Sequence, residues 1–196
     1  MIKKAERVES DLNTLTQIAV NAGNIMETKG DRYSILGNLI RNGRFEEGLS
    51  YWESCNVKIV TGKETHEGLG AAGLGAYGKN RKPAWLLQCV PLKRWVFPLY
   101  LQLIFSVAGG KPAPADLDVS LGWYDRYGML IEDGITAHIQ KRAIGNGSRG
   151  QWNAYTFVSG RSPTDACYAV LRFYKRPALK RLGFVIIDDV ALIPIL

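Results

Sequence analysis

The stretch NLIRNGRFEEGLSYW, residues 38–52, contains the strongest local signals in the sequence. Asn42 and Gly43 form a dipeptide typical of tight turns, because both residues tolerate backbone conformations that most residues avoid. Phe45 and Trp52 are large apolar side chains that favour burial. The stretch therefore predicts a turn that leads into the first strands and carries two core residues.

Adjacent carboxylates occur in this stretch and again near the C-terminus, as Glu46-Glu47 and Asp188-Asp189. Two carboxylates across a cleft can hydrolyse a glycoside, and carboxylate oxygens can bind a hard cation. Neighbours along a strand point to opposite faces, so an extended pair offers one inward carboxylate at most. We expect one Asp of the second pair to face the core near a strand end, where a metal would offset the cost of burial.

From residue 38 onward, short alternating apolar segments follow one another without an intervening helical pattern. In YLQLIFSV, residues 100–107, the odd positions share an apolar face, and residues 115–124 repeat this pattern. About eight or nine such segments at short intervals predict an all-β two-sheet sandwich or jelly roll. The glycine-rich segment 68–78 fits G-x-G-x-x-G, but no acidic residue follows it before residue 116. We therefore expect a turn-rich loop there and not a dinucleotide site.

The sequence has 196 residues, of which 46% are hydrophobic and 22% charged, as expected for one sizeable core or for one folded domain with an appendage. A formal charge of +7 favours acidic partners, including anionic polysaccharides. Lysines and arginines cluster in 68–115 and 172–181, with aromatic residues nearby. These residues could stack on bases or sugars, or the cations could belong to solvated loops. Because no nucleic-acid-binding motif is present, we expect no nucleic-acid partner.

Catalytic and zinc-binding motifs are absent from the sequence. His66 and His138 are the two histidines, and neither accompanies a G-x-S-x-G motif. The three cysteines lie far apart without a C-x-x-C pair, which argues against zinc. We therefore expect a protein that is not an enzyme.

Residues 1–37 have a different pattern, which predicts an N-terminal α-helix followed by a linker. Apolar residues are spaced at intervals typical of a heptad seam: Val8, Leu12, Leu15, Ala19, Ala22 and Met26. Two interpretations remain open. The helix could dock on its own domain, or it could pair with copies of itself and make the protein a homo-oligomer.

Targeting signals are also missing. The N-terminus MIKKAERVESDL has no apolar core of a signal peptide, and no apolar run approaches the ~20 residues that span a bilayer. We expect no membrane span. We also expect release outside the general secretory route, to a spore or virion surface after assembly, or else a cytoplasmic location.

The opening stretch resembles the first motif of carbohydrate-binding-module-like jelly rolls, the galactose-binding-like domains of the family 4, 9 and 22 type. Their consensus runs roughly N-L-x-x-N-G-x-F-E-x-G-x-x-x-W. Later landmarks follow in the family's order: THEG (65–68), LLQCV (86–90), LGWYDRYG (121–128), GQWNAYTF (150–157) and LGFVIIDDVALIPI (182–195). The resemblance spans residues 38–196, which we take as the domain. The chain is also similar to N-terminal domains of surface repeat proteins of spore-forming bacteria.

The resemblance implies two sheets whose first and last strands pair. It also implies a structural calcium, which by position would be held by Glu46, the Gly68 backbone, and Asp188 or Asp189. Carbohydrate, where the family binds it, usually lies against aromatic side chains of the concave sheet. Alternation along the strands and nearby aromatics give the carbohydrate-binding candidates Trp85, Tyr100, Gln102, Tyr124, Arg172 and Tyr174.

The expected function is thus that of a non-catalytic module that recognises glycans, with the positive charge favouring anionic ones. We expect it to stand alone and to form oligomers through residues 1–37. The alternative is a structural or assembly protein of a spore, virion or cell-surface appendage, with the helix as the oligomerising segment and the jelly roll as the head.

Overall fold

A computed structural model describes residues 37–75, 82–92, 99–110, 114–177 and 183–195. These residues form an all-β sandwich of two sheets, as predicted. The predicted N-terminal helix, its heptad seam and almost all of the linker lie outside the described residues. Within the described ranges, no helix has the length and apolar character needed to cross a membrane.

The five-stranded sheet has the order β1-β4-β10-β6-β7. All of its neighbouring strands are antiparallel. Its strands are β1 (Glu53–Cys55), β4 (Ala84–Pro91), β6 (Leu117–Tyr124), β7 (Leu130–Ile139) and β10 (Tyr168–Lys175).

The six-stranded sheet has the order β2-β3-β11-β5-β8, with β9 also paired to β5. Only the short β5–β8 pair is parallel among these described pairs. Its strands are β2 (Val57–Val60), β3 (Ala71–Leu74), β5 (Tyr100–Gly109), β8 (Gly145–Asn146), β9 (Asn153–Val158) and β11 (Val185–Ile195).

The core lies between the sheets and follows the predicted alternation. Odd-numbered residues of β5 are buried from Leu101 through Val107, and Val119, Leu121 and Trp123 of β6 face them. Burial of one face of each strand removes apolar surface from water, which drives the two sheets together. The side chains at the intervening positions lie on the outer faces of the sandwich.

The opening stretch closes one end of this sandwich without forming a regular strand. Phe45 and Trp52 are buried, as predicted, with their ring centroids 5.4 Å apart. Gly43 lies so close to β11 that a Cβ atom there would stand 2.0 Å from the Val190 carbonyl oxygen. The Val190 N–H donates to the Gly43 carbonyl at 2.9 Å, and the Leu39 N–H donates to Leu192 at 2.8 Å. The opening stretch therefore pairs directly with the last strand, β11. The expectation that the first and last strands pair is wrong for the strands themselves, because the first strand, β1, pairs with β4 and lies in the other sheet.

The glycine-rich segment differs from the expected loop. Ala71–Leu74 form β3, which is buried and pairs with both β2 and β11. Its small residues have little β-propensity of their own, so the pairing of the neighbouring strands decides the outcome.

Candidate functional site

The outer face of the five-stranded sheet carries four of the six predicted carbohydrate-binding residues. In register across the strands, Trp85 of β4 lies opposite Tyr174 of β10, which lies opposite Asp118 of β6. Asp118 in turn lies opposite His138 of the edge strand β7. This row thus runs from an aromatic end to a charged end.

Two further rows complete this surface. Arg172 lies between Leu87 of β4 and Ser120 of β6, and Tyr124 lies opposite Tyr168. Leu87, Tyr168 and Val170 form a small buried cluster, against which Trp85 and Tyr124 pack. The predicted side chains are half-buried, so the cluster holds the aromatic rings in place while leaving part of each accessible.

A charged clamp occupies the end of the first row. Arg176 donates from Nε and Nη2 to the two Asp118 oxygens at 2.6 and 3.0 Å, and His138 Nδ1 lies 2.7 Å from Oδ1. Burial by itself raises the pKa of Asp118, but the hydrogen bonds from Arg176 and His138 outweigh it and leave that pKa below its usual value. The carboxylate therefore stays ionised at neutral pH.

Partial burial perturbs two other groups on this face. Desolvation raises the pKa of Tyr174, and the negative charge of Asp118 raises it further. Desolvation also raises the pKa of Glu53. Hydrogen bonds and charge interactions made by such partly desolvated groups are stronger than those made in bulk water.

Tyr100 and Gln102, the other two predicted residues, lie on the opposite sheet. They belong to β5, where Tyr100 pairs with Ile195 and Gln102 with Ile193 and Val158. The alternation along β5 correctly placed them outside the core, but it could not tell one sheet from the other. The structure therefore separates the six candidates into one group of four and one of two.

Sequence reasoning missed the clamp of Asp118, His138 and Arg176. A signal for it was present, because Arg176 continues the two-residue alternation of Arg172 and Tyr174 past the end of β10. The pairing of Asp118 with His138 depends on strand register, which composition does not reveal.

The predicted calcium ligands lie at the junction of the opening stretch, the turn at residues 66–69 and β11. The Leu69 N–H donates to the Glu46 carboxylate at 3.1 and 3.2 Å. The His66 N–H donates to Asp188 Oδ2 at 3.0 Å, and the Asp189 N–H donates to Oδ1 at 2.8 Å. Glu46 and Asp188, far apart in sequence, thus bind the same turn.

Gly68 lets this turn approach Glu46. Its φ of +70° suits glycine, and a Cβ atom there would overlap the Glu46 carboxylate. Asp189 turns away to other partners: His66 Nδ1 at 2.5 Å and Arg44 Nε at 3.4 Å. The junction therefore separates the aspartate pair, with Asp188 bound to backbone donors and Asp189 to side chains.

Asp188 is completely buried, as expected for one member of the pair. Burial is the largest influence and raises its pKa to about 6, although backbone hydrogen bonds from Asp189 and His66 act in the opposite direction. The nearby Asp189 charge adds to the increase.

The donors at the junction are carboxylate oxygens, which calcium prefers. Among the described residues, no three His, Cys, Asp or Glu side chains come together as a metal-binding group. Calcium would therefore need main-chain carbonyl oxygens beside Glu46 and Asp188. Its binding stays a prediction.

The fold of this chain is similar to that of several solved structures. No family model matches the chain, and no curated protein sequence matches it. The enzymatically active domain of bacteriophage CBA120 tailspike protein 4 matches with a TM-score of 0.59 and 21% identity, over 81% of this chain and 21% of that one.

Two further structures match over nearly their full length. The family 22 xylan-binding domain from Paenibacillus barcinonensis matches with a TM-score of 0.54 and 15% identity, over 83% of this chain and 97% of that one. A Stig cyclase from Fischerella sp. TAU has the same TM-score of 0.54 and 16% identity, over 83% of this chain and 98% of that one. Carbohydrate-binding modules of families 16 and 61 also match. The chain therefore has the two-sheet jelly-roll fold of the carbohydrate-binding modules.

Proposed function

We propose that this chain is a non-catalytic glycan-binding module and that the outer face of its five-stranded sheet is the binding surface. The observation that carries the proposal is the gathering of Trp85, Tyr124, Arg172 and Tyr174 on that face. The likeness to carbohydrate-binding modules supports it, because one such structure is described as xylan-binding and another holds β-1,4-galactotriose.

The chemistry of the face suits a sugar. The rings of Trp85 and Tyr174 lie on neighbouring strands and offer an apolar surface for the C–H face of a pyranose. Arg172, Ser120 and the clamped Asp118 supply donors and acceptors for hydroxyl groups. Ligand sites typically combine such an apolar surface with a few fixed polar groups.

The non-catalytic part of the proposal has two supports. Asp118 has a lowered pKa and is held ionised by Arg176, which is unsuitable for an acid catalyst. Asp188 has a pKa near 6, but it is completely buried and bound to backbone N–H groups, so it cannot contact the glycosidic bond of a glycan on the sheet face.

The test is a glycan array followed by calorimetry on the glycans that bind. Trp85→Ala and Tyr174→Ala should each weaken binding at least about tenfold, since aromatic anchors carry most of the energy of such contacts. Tyr100→Ala, on the opposite sheet, is the matched control and should bind as the wild type does. Loss of binding in Tyr100→Ala alone would move the site to the other sheet, and no binding to any glycan would refute the proposal.

A role as a structural or assembly protein is the second candidate. The observation in its favour is the match to a bacteriophage tailspike domain, which has this fold within a much longer chain. In this case residues 1–37 would oligomerise the protein and the jelly roll would form its head at a virion or spore surface. Light scattering should give a multimer for the full chain and a monomer for residues 38–196, with circular dichroism confirming that the shorter chain is folded. Monomers in both cases would exclude this role.

We also propose that the junction binds calcium through Glu46, Asp188 and the carbonyl oxygens of the turn at residues 66–69. Support comes from the two carboxylates that contact this turn and from the complete burial of Asp188, whose charge a cation would stabilise. The melting temperature should rise with calcium and fall with chelator. Glu46→Gln should abolish this response, whereas Glu47→Gln should keep it. An identical melting temperature in calcium and in chelator would exclude the site.

A further inference from the structure

A groove of about 370 Å³ lies at one side of the sandwich, where the edge strand β7 of one sheet approaches β9 of the other. It is bounded by the end of β7, by the 3-10 turn Lys141–Ala143 and by two aromatic residues of β9. This volume is in the range that accommodates a small ligand. Neither Trp85 nor Tyr174, the aromatic residues of the sheet face proposed above, lines this groove.

The floor of the groove is a fixed pair of aromatic rings. Tyr155 and Phe157 have centroids 6.3 Å apart and planes only 7° from parallel. Both stack on the buried ring of Phe105, at 5.8 and 6.2 Å. The Tyr155 hydroxyl donates to the Ala143 carbonyl at 2.6 Å and thereby ties the 3-10 turn to this floor. The rings are partly exposed and held in place before any ligand arrives.

The rim of the groove is polar and carries positive charge. His138, Gln140 and Arg142 line it. Among the described residues, no carboxylate forms an ion pair with Arg142, whereas Asp118 beside His138 already holds Arg176. A guanidinium presents a planar set of donors that matches a carboxylate with two parallel hydrogen bonds. The rim therefore suits an anionic group above an apolar floor.

His138 connects this groove to the sheet face. It ends the row that starts at Trp85 and passes through Tyr174 and Asp118. Adjacent strands are about 4.8 Å apart, so this row spans roughly 14 Å from β4 to β7. A linear ligand that crosses the strands along the row reaches the groove at its far end.

We propose that the groove is a second subsite of the same surface and that it takes an acidic sugar unit, with the sugar ring against Tyr155 and Phe157 and the carboxylate on Arg142. The inference rests on the proposed glycan-binding function and adds to it a ligand class, uronic-acid glycans that cross the strands of the sheet.

The test uses hexasaccharides of galacturonate, guluronate and mannuronate, each beside its carboxyl-reduced counterpart, with affinities measured by calorimetry. At least one acidic hexasaccharide should bind about tenfold more tightly than its reduced form. Arg142→Gln should remove this preference and leave the affinity for the reduced form unchanged. Ala143→Trp should also weaken binding of the acidic hexasaccharide, because a large side chain on this exposed turn would fill the groove. Arg126→Gln, in the turn that precedes β7, is the matched control and should behave as the wild type.

The failures of the two proposals are distinguishable. Suppose that Trp85→Ala and Tyr174→Ala bind neither the acidic nor the reduced hexasaccharide, whereas Arg142→Gln and Ala143→Trp bind both as the wild type does. The sheet face then binds glycans and the groove inference is wrong. If the wild type binds none of the acidic or reduced hexasaccharides, the groove inference is also wrong. The groove inference is supported if Arg142→Gln loses the preference for the acidic hexasaccharide and Arg126→Gln keeps it.

Discussion

Two regions of the molecule each hold a buried or half-buried aspartate, and they hold it by different means. At the junction, backbone N–H groups bind Asp188, which is completely buried. On the sheet face, the side chains of Arg176 and His138 bind Asp118, which is partly exposed. Backbone donors belong to the fold itself, whereas side chains can change partners when a ligand arrives. The junction should therefore control stability and the sheet face should control binding.

The largest expected effect is at the closest backbone contact of the junction. Gly43→Ala would place a Cβ atom against the Val190 carbonyl, and relief of that overlap would disturb the hydrogen bond from the Val190 N–H to Gly43. We expect the free energy of unfolding to fall by about 3 kcal/mol. Denaturant unfolding measures it.

Gly160→Ala is the matched control, because a Cβ atom there would meet its nearest neighbour only at 3.9 Å. Equal stability of the two variants would show that the opening stretch is not tightly fixed to β11.

The next effect concerns pH and has opposite signs for the two aspartates. The folded-state pKa of Asp188 is raised from 3.8 to about 6, so the folded protein binds this proton more tightly than the unfolded chain. Its contribution to stability is fully present below pH 3.8 and is lost as pH rises through about 6, by at most about 3 kcal/mol. Asp118 has a lowered pKa, so its contribution is present above pH 3.8 and is lost as pH falls through its folded value.

Carboxyl NMR titration in the presence of chelator should measure both pKa values directly. An Asp188 pKa at or below the ordinary value without calcium would contradict the expected sign. Calcium, if bound at the junction as proposed, should lower the pKa of Asp188 and reverse its pH dependence.

A smaller loss is expected where the opening stretch crosses β4. The buried Gln88 side chain accepts from the Arg41 N–H at 2.8 Å and donates to the Arg41 carbonyl at 2.9 Å. Gln88→Leu removes both bonds and should lower the free energy of unfolding by about 2 kcal/mol. Glycan affinity, measured on the same variant, should stay unchanged because Gln88 faces the core and not the binding surface. A large loss of glycan affinity in a folded Gln88→Leu variant would contradict the assignment of stability to the junction and of binding to the sheet face.

The smallest effect on stability is expected at the clamp. Arg176→Gln removes a largely exposed partner of Asp118 and should cost less than about 1 kcal/mol, as surface ion pairs generally do. The pKa of Asp118 should nevertheless rise, because hydrogen bonding from Arg176 lowers it. A carboxyl titration indistinguishable from that of the wild type would show that the clamp does not form in solution.

Much of the fold could be predicted from alternation and motif order. The buried face of β5, the burial of Phe45 and Trp52, and one inward carboxylate in the pair at residues 188–189 all follow from local pattern, whereas the structure decides that this carboxylate is Asp188. β3 could not be predicted in this way, since its alanines and glycine form a strand only because β2 and β11 flank them. The same limit applies to the site. Alternation placed Tyr100 and Tyr174 outside the core, but strand order alone assigns them to different sheets.

The pairing of the first and last segments also determines when the domain can fold. β11 lies between β3 and β5 in the six-stranded sheet and receives the hydrogen bonds of the opening stretch. Asn38 bonds to residues 152 and 154 positions later in the chain. Contacts of such long sequence separation form slowly, because a large loop must close before they stabilise the fold. A ribosome-bound chain that still holds β11 in the exit tunnel therefore lacks the centre of one sheet, so the domain can complete its fold only after β11 has left the tunnel.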